Sequence, residues 1–193
     1  MTTYVLHGGQ TKIKSEDNEQ FYGHFTDLVL KDRVKILLCY WAREKDNWVE
    51  LFEKDKLFIK AQTKKKVDVI LIDTIESLRN GLKDADVLYV SGGEENLLRP
   101  YMSQLGFLKD ALKDKVYLGS SMGAFMVSTY YVLSFTSQDV GKVYSGLGLI
   151  PYNSLCHWNV EKYKNKKIAM LKEKNSQTPI LLIEEQRFEK III

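Results

Sequence analysis

The order of strand-like and helix-like segments constrains the fold of this chain more than any other feature. Short runs rich in Val, Ile, Leu or Tyr predict β-strands; they are Tyr4–His7, Val34–Tyr40, Val67–Ile72, Val87–Ser91 and Val116–Gly119. The segments between them carry apolar residues three and four positions apart, which is typical of amphipathic helices; they are Glu16–Lys31, Glu44–Lys60, Ile75–Leu82 and Glu95–Lys113.

Strands that alternate with helices usually run parallel, because each helix returns the chain to the same end of the sheet by a right-handed crossover. Near-continuous apolar strands such as Val34–Tyr40 also fit a sheet that is buried on both faces. A chain of 193 residues can form one domain with a full hydrophobic core. We therefore predict a single α/β domain over residues 1–193, with three layers in which helices cover both faces of a mostly parallel sheet.

The later part of the chain has a weaker pattern. Two helices and two closing strands are predicted there; they are Met122–Tyr131, Asn159–Lys174, Pro179–Ile183 and Phe188–Ile193. Two further segments, Tyr130–Ser134 and Val143–Leu149, fit either strands or connecting turns.

Charge and composition disfavour several classes of partner. The 28 basic and 25 acidic residues nearly cancel to a net charge of +3, which does not favour nucleic acid, and Lys64-Lys65-Lys66 is predicted to be a solvated loop. The N-terminus lacks the layout of a signal peptide, and no apolar run approaches the ~20 residues needed to cross a membrane. Cys39 and Cys156 lack the spacing of metal ligands or of a redox pair. We expect a cytoplasmic protein with no metal, membrane or nucleic-acid partner.

A Gly-x-Ser-x-Gly motif follows the strand Val116–Gly119 and precedes an apolar helix. A serine on a sharp strand-to-helix turn exposes its hydroxyl, and the flanking glycines let strand and helix approach closely. Ser121 has glycines on both sides, Gly119 and Gly123, whereas its neighbour Ser120 does not. The motif therefore predicts Ser121 as a nucleophile.

A second glycine turn, Gly92-Gly93, follows the strand Val87–Ser91. The carboxyl ends of parallel strands lie at the same edge of a sheet, where ligand crevices form. A backbone N–H of Gly92 or Gly93 could therefore act together with the N–H of Met122 to bind an oxyanion. The glycine doublet also fits a tight strand–helix connection with no further role.

A serine nucleophile needs a base, usually a histidine held by a carboxylate. The chain has three histidines: His7 ends the first strand, His24 lies in an amphipathic helix and fits a packing or surface role, and His157 lies in a loop after a Gly-rich segment. The acidic candidates are Asp139, Glu184 and Glu185, and spacing alone does not choose among them.

Three blocks together resemble the peptidase E family of aspartyl dipeptidases, which is related in fold to class I glutamine amidotransferases. The blocks are Tyr89–Gly93, Gly119–Ala124, and Gly148–Pro151 with His157. The resemblance implies a flavodoxin-like sheet, hydrolysis of short peptides without a metal or organic cofactor, and a symmetric homodimer by analogy.

The resemblance also implies roles for single residues. The nucleophile falls on Ser121 and the histidine on His157, and the oxyanion donors fall on Gly92, Gly93 and Met122. The acid of the triad falls best on Glu185 on a late strand, with Glu184 and Asp139 as alternatives.

Two positions depart from the family pattern. Met122 stands where the family usually has alanine, and Tyr163–Lys167 stands where aspartyl dipeptidases have a Thr-Arg pair that holds the substrate's aspartate. Lys166 or Lys167 could supply a positive charge there without the paired hydrogen bonds of arginine. These departures leave a second interpretation open, a non-catalytic amidotransferase-like module that binds a small molecule or a partner. An ordinary α/β-hydrolase esterase would need Asp139 as the acid.

Overall fold

A computed structural model describes residues 1–133 and 141–193. Its central sheet has the strand order β10-β1-β5-β4-β2-β3, and the strands are β1 (Thr3–His7), β2 (Arg33–Cys39), β3 (Lys66–Ile72), β4 (Val87–Val90), β5 (Val116–Ser120) and β10 (Phe188–Ile192). All neighbouring pairs are parallel except β1 with β10. The predicted α/β fold with a mostly parallel sheet is confirmed.

Apolar strands build the core of this sheet. Ile36, Leu37, Leu38 and Cys39 are successive residues of β2, and all four are inaccessible to solvent. Successive side chains of a strand point to opposite faces, so both faces of β2 are covered. This is why the strand is a continuous apolar run and does not alternate with polar residues.

Helices surround the sheet. They are α1 (Glu16–Asp27), α2 (Trp48–Ala61), α3 (Ile75–Gly81), α4 (Glu95–Met102), α5 (Leu108–Ala111), α6 (Met122–Val127) and α7 (Lys164–Lys174). The chain moves across the sheet in one direction from β1 to β3 and in the other from β3 to β5. Right-handed crossovers therefore place α1 and α2 on one face and α3 and α4 on the other. Contacts of α1 with α2, and of α4 with α6, agree with this arrangement.

Three predicted helices are shorter than expected. The segment Glu95–Lys113 is wrong as one helix, because the chain turns between α4 and α5, where i→i+3 bonds from Gln104 to Tyr101 and from Leu105 to Met102 replace the α-helical ladder. The helix predicted over Met122–Tyr131 ends at Val127. The first helix ends at Asp27 and does not reach Lys31.

A small second sheet was not expected. It has the order β7-β6-β8-β9, with β6 (Tyr130–Tyr131), β7 (Tyr144–Ser145), β8 (Asn153–Leu155) and β9 (Ile180–Leu182). The Pro179–Ile183 segment is a strand as predicted, but it pairs with β8 and not with the central sheet. The helix predicted over Asn159–Lys174 begins only at Lys164.

The topology places a crevice at one position of the central sheet. The strands β1 and β5 are neighbours, but β1 leads into α1 on one face and β5 leads into α6, which packs against α4 on the other face. Ligands of open α/β sheets bind at the carboxyl ends of strands whose connections diverge in this way. Ser121 directly follows β5, and Gly8 directly follows β1.

Candidate active site

Ser121 lies on a sharp turn between β5 and α6. Its φ of 49° and ψ of −103° fall outside the regions that residues with a Cβ usually adopt. The strained conformation is held by backbone hydrogen bonds, since the Ser121 N–H donates to the His7 carbonyl at 2.8 Å and its carbonyl accepts from the Phe125 N–H at 2.9 Å. The turn lifts the hydroxyl to the carboxyl edge of the sheet.

The flanking glycines are required by close packing. A Cβ added to Gly123 would lie 2.1 Å from the Val90 carbonyl oxygen, and one added to Gly119 would lie 2.6 Å from the backbone of Gly123. Real Cβ atoms do not approach backbone atoms so closely. The glycines therefore bring α6 down onto β4 and β5, which fixes the position of Ser121.

A continuous hydrogen-bonded chain runs from Ser121 through His157 to Glu185. The Ser121 Oγ lies 3.0 Å from the His157 Nε2, and the His157 Nδ1 lies 2.7 Å from the Glu185 Oε1. The side chains of His157 and Glu185 are 26% and 17% exposed, so the pair is largely shielded from water. With Nδ1 protonated toward the carboxylate, Nε2 faces the serine as an acceptor.

The second sheet brings His157 and Glu185 together. The strands β8 and β9 are parallel, and Leu155 pairs with Leu182 at their ends. The segments that follow the two strands also stay adjacent, since the Trp158 N–H donates to the Ile183 carbonyl at 3.1 Å. The Glu185 N–H also donates to the Asn159 side chain at 2.9 Å. The register of β8 and β9 therefore helps to place the Glu185 carboxylate next to the His157 imidazole.

The other two acidic candidates are placed differently. The Glu184 side chain is exposed, and its backbone carbonyl packs against Gly8. Asp139 lies outside the described residues. Of the acids that the structure describes, Glu185 is the one hydrogen-bonded to His157.

The residues that are expected to supply oxyanion donors lie on two turns next to the serine. A Cβ added to Gly92 would lie 3.0 Å from the Ser121 Cβ, so this turn touches the serine directly. Gly93 packs against Ala42, whose carbonyl oxygen would lie 1.9 Å from an added Cβ. Met122 is the first residue of α6, and its N–H lies outside the helical hydrogen-bond ladder. The Met122 side chain is buried, and Met122 does not line the cavity beside Ser121.

A cavity of about 460 Å³ opens beside Ser121 and His157. Besides these two residues and Gly92, Gly93 and Ser120, it is lined by side chains from the loops after β1 and β2, from α2 and from β4, notably Lys12, Tyr40, Arg43, Asp55 and Tyr89. Sequence reasoning did not identify these residues.

The charges of the cavity are two cations and one carboxylate. Asp55 is buried, and its carboxylate accepts the Tyr40 hydroxyl at 2.7 Å and pairs with the Lys12 ammonium. Arg43 is exposed and has no ion-pair partner among the residues that the structure describes. The cavity therefore has an excess of positive charge at neutral pH.

Lys166 and Lys167 do not line this cavity. Lys166 is exposed, whereas Lys167 is buried and forms an ion pair with Glu161, whose side chain is also buried. Burial alone would raise the pKa of Glu161, but the hydrogen bond from Lys167 holds it below its usual value. The expected substrate-binding role therefore has no support in the placement of either lysine, and the pair anchors the start of α7 to the loop after His157.

Neither cysteine offers an alternative nucleophile. Both thiols are buried and unpaired. Burial raises the pKa of Cys39 to about 12 and raises that of Cys156 further. In the described parts of the chain, no group of His, Cys, Asp and Glu could hold a metal ion.

The fold and these contacts define a class of protein. A parallel α/β sheet that presents a serine on a strand–helix turn, next to a histidine held by a carboxylate, is the arrangement of α/β serine hydrolases. The model of the family described as Peptidase family S51 matches residues 4–191. The chain belongs to this family and is a serine-type peptidase.

Two solved structures have a similar fold. A candidate peptidase E protein from Listeria monocytogenes EGD-e has a TM-score of 0.60 and 17% identity, over 100% of this chain and 99% of that one. A peptidase from an acI-B1 Actinobacterium has a TM-score of 0.61 and 17% identity, over 99% of this chain and 87% of that one. At this identity the similarity supports the fold. No match was found among curated proteins.

No helix in residues 1–133 and 141–193 combines the length and apolar character that crossing a membrane requires.

Proposed function

We propose that this peptidase hydrolyses short peptides through an acyl-enzyme on Ser121, with His157 as the general base and Glu185 as the acid that orients it. The observation that carries the proposal is the hydrogen-bonded chain from the Ser121 Oγ to the His157 Nε2 at 3.0 Å and from Nδ1 to Glu185 at 2.7 Å. Each group lies within the reach that proton transfer requires.

In the first half of the reaction the Ser121 Oγ attacks the carbonyl carbon of the scissile peptide bond while the His157 Nε2 accepts the hydroxyl proton. The C–N bond then breaks, and the imidazolium gives this proton to the leaving amine. In the second half, water attacks the ester and loses a proton to His157. The C–O bond to Ser121 then breaks, and the imidazolium returns the proton to the Ser121 Oγ as the acid leaves. Glu185 stabilises the imidazolium in both halves.

Negative charge develops on the substrate's carbonyl oxygen in both tetrahedral intermediates. The N–H of Met122 and that of Gly92 or Gly93 are the proposed donors to this oxygen, and such a donor is typically worth ~3 kcal/mol of barrier reduction. Gly92 is favoured over Gly93, because Gly92 lies against the Ser121 Cβ while Gly93 packs on Ala42.

The cavity supports a substrate that carries a carboxylate, as an Asp-X dipeptide does. Lys12 and Arg43 line the space next to Ser121, and Asp55 neutralises one of these two charges. A substrate carboxylate would pair with the remaining charge. The volume of about 460 Å³ fits a short peptide and not a folded protein.

The test is a panel of dipeptides, Asp-Leu, Asn-Leu and Leu-Leu, with kcat/KM measured for the wild type, Ser121→Ala and Ser120→Ala. We expect Asp-Leu to be cleaved best, with turnover lost in Ser121→Ala and retained in Ser120→Ala. Retained turnover in Ser121→Ala would contradict the mechanism. No cleavage of any peptide would favour a non-catalytic binding module.

Substrate selection is tested with Arg43→Gln against Lys45→Gln. We expect the ratio of kcat/KM for Asp-Leu over Asn-Leu to fall by about ten- to hundredfold in Arg43→Gln, because a hydrogen bond to a charged group is worth about 1.5–3 kcal/mol. Lys45 is exposed and does not line the cavity, so its substitution should leave the ratio unchanged. An unchanged ratio in both variants would show that Arg43 does not contact the substrate's carboxylate.

A further inference from the structure

Three consecutive carbonyl groups at the end of β1, those of His7, Gly8 and Gly9, accept backbone hydrogen bonds from all three segments of the proposed triad. The His7 carbonyl accepts the Ser121 N–H at 2.8 Å, and the Gly8 carbonyl accepts the His157 N–H at 3.1 Å. The Gly9 carbonyl accepts the N–H of Gln186, the residue after Glu185, at 2.9 Å. One tripeptide therefore determines where the serine, the histidine and the carboxylate stand relative to one another.

Gly8 and Gly9 of this tripeptide pack closely against the segments that carry Glu185 and His157, where a side chain would not fit. A Cβ added to Gly8 would lie 2.0 Å from the Glu184 carbonyl oxygen, and one added to Gly9 would lie 2.3 Å from the His157 Cε1. Gly9 also has a φ of 117°, a conformation that residues with a Cβ rarely adopt. Two adjacent glycines form a very flexible dipeptide. The Gly8 N–H is held by the Arg187 carbonyl at 3.0 Å, so a separate acceptor is needed to hold the Gly9 N–H.

The His7 side chain is that group. Its Nδ1 accepts the Gly9 N–H at 3.0 Å, and its Nε2 lies 2.7 Å from the Asn18 Oδ1. Because the Gly9 N–H can only donate, Nδ1 carries the lone pair and Nε2 carries the proton that is donated to Asn18. The Asn18 Nδ2 in turn donates to the Gln10 carbonyl at 2.9 Å and to the Ile13 carbonyl, so its orientation is fixed as well.

The imidazole of His7 is inaccessible to solvent and packs against the Phe21 ring at 4.7 Å between centroids. Burial lowers its pKa to about 4, so it stays neutral in the range where peptidases work. It lies next to the site but does not line the cavity. Its hydrogen bond toward the site is the one from the Gly9 N–H, so it can act on the reaction by positioning the Gly8-Gly9 turn.

We propose that His7, held by Asn18, is a positioning residue that sets the triad geometry by fixing the Gly8-Gly9 turn. The inference rests on the proposed function of Ser121, His157 and Glu185. Loss of the acceptor at Nδ1 frees the Gly9 N–H, the turn relaxes, and the His157 ring loses the backbone that packs against it. The alignment of Ser121 with His157 is then lost even though none of the three triad residues has changed.

Three substitutions separate the two hydrogen bonds of His7. Leucine removes both bonds, asparagine keeps an acceptor near the Nδ1 position, and glutamine reaches the Nε2 position and keeps only the contact with Asn18. The matched control is Thr2→Val. Thr2 directly precedes the same strand, is also buried, and in this variant loses the bond from its Oγ1 to the Leu112 carbonyl at 2.8 Å, at the opposite end of β1 from the site.

We expect kcat for the preferred dipeptide to fall about 10²-fold in His7→Leu and in His7→Gln, with little change in KM, as misplacement of catalytic groups by an ångström does. His7→Asn should recover to within about tenfold of the wild type, and Thr2→Val should keep the wild-type kcat. All values are referred to the folded fraction measured by circular dichroism. If the leucine variant does not fold, the comparison of asparagine with glutamine carries the test.

A second measurement does not depend on turnover. The Nδ1 proton of His157, which is hydrogen-bonded to Glu185, should give an exchange-protected downfield imidazole resonance in NMR spectra of the wild type and Thr2→Val. Loss of the resonance in Glu185→Gln assigns it to this proton. We expect the resonance to be lost in His7→Leu and His7→Gln and kept in His7→Asn. A resonance that persists unchanged in His7→Leu and His7→Gln would overturn the proposal, whether or not peptides are cleaved. Its loss in those variants of a protein that cleaves no peptide would overturn the peptidase mechanism and leave the positioning role standing.

Discussion

Ser121 and His157, which meet across the candidate site, both have positive φ angles, 49° and 58°. Such conformations cost of order 1–3 kcal/mol for a residue with a side chain and persist only when the surroundings hold them. Here each residue donates its N–H to a carbonyl of the β1 turn, His7 for the serine and Gly8 for the histidine. The strain is therefore offset by the same contacts that align the two side chains.

The first prediction concerns Glu185. Glu185→Gln removes the negative charge next to the His157 Nδ1 and allows the wrong tautomer, so we expect kcat to fall about 10²–10⁴-fold with a small change in stability. The control is Glu184→Gln, one residue away with an exposed side chain, which should change kcat less than about twofold. Steady-state rates of dipeptide cleavage measure both, and equal losses in the two variants would contradict the role of Glu185.

The sequence predicted Ser121 and His157 because a motif and a family pattern point to them. It left Glu185, Glu184 and Asp139 open, because the choice depends on the register of β8 and β9 at the approach to His157. Asp55 could have been noticed, since it lies four residues after Leu51 on a predicted amphipathic helix and interrupts the apolar spacing. Nothing in the spacing of Lys12 and Arg43 indicated that they share a cavity.

Among the secondary-structure elements, α6 positions Ser121 through its close contact with β4 and β5. The helix is short, all six of its residues are buried, and Gly123 lies directly over the Val90 carbonyl. This close packing is what holds the strained turn at Ser121. The element thus contributes to function through its fit to the sheet.

The second prediction tests this fit. Gly123→Ala places a Cβ 2.1 Å from a backbone oxygen, so we expect a loss of about 1–3 kcal/mol in the free energy of unfolding and a loss of activity. Gly106→Ala is the matched control, because no atom lies within 4 Å of its added Cβ. Urea unfolding followed by circular dichroism compares them, and equal stability of the two variants would show that the α6 contact is not tight.

The regular strands were predictable because their apolar runs are determined locally. The break between α4 and α5 and the early end of α6 were missed, because periodicity continues through both. The second sheet was missed for a different reason. Three of its four strands lie in segments that the pattern allowed as strands, but these strands are only two or three residues long, and no local pattern encodes their pairing with distant segments.

Across the whole molecule, the topology brings together residues that are far apart in the chain. The reversal of chain direction at β3 makes β1 and β5 neighbours, and the second sheet carries His157 and Glu185 to the same edge. The alternation of strands and helices predicted this crevice in general terms. It could not predict that the turn at the end of β1 would accept backbone hydrogen bonds from the segments that carry Ser121, His157 and Glu185.

The third prediction is the pH dependence of folding stability. His7 has a pKa near 4 in the folded protein and about 6.5 in the unfolded chain. The unfolded chain therefore binds the extra proton between these values, and the stability contributed by a neutral His7 is complete above pH 6.5 and is lost as the pH falls toward 4.

We expect urea midpoints to fall more steeply between pH 7 and pH 4.5 for the wild type than for His7→Asn, which cannot be protonated there. Thr2→Val should keep the wild-type slope at lower stability. Parallel curves for the wild type and His7→Asn would contradict the assignment of a neutral, buried His7.

Whether Ser121 is the reactive nucleophile is tested by covalent labelling of the protein with a serine-directed fluorophosphonate, followed by intact-mass analysis and peptide mapping. We expect one adduct on Ser121 in the wild type and in Ser120→Ala, no adduct in Ser121→Ala, and slower labelling in Glu185→Gln. An unlabelled wild type, or an adduct on any residue other than Ser121, would contradict the serine peptidase mechanism proposed for this site.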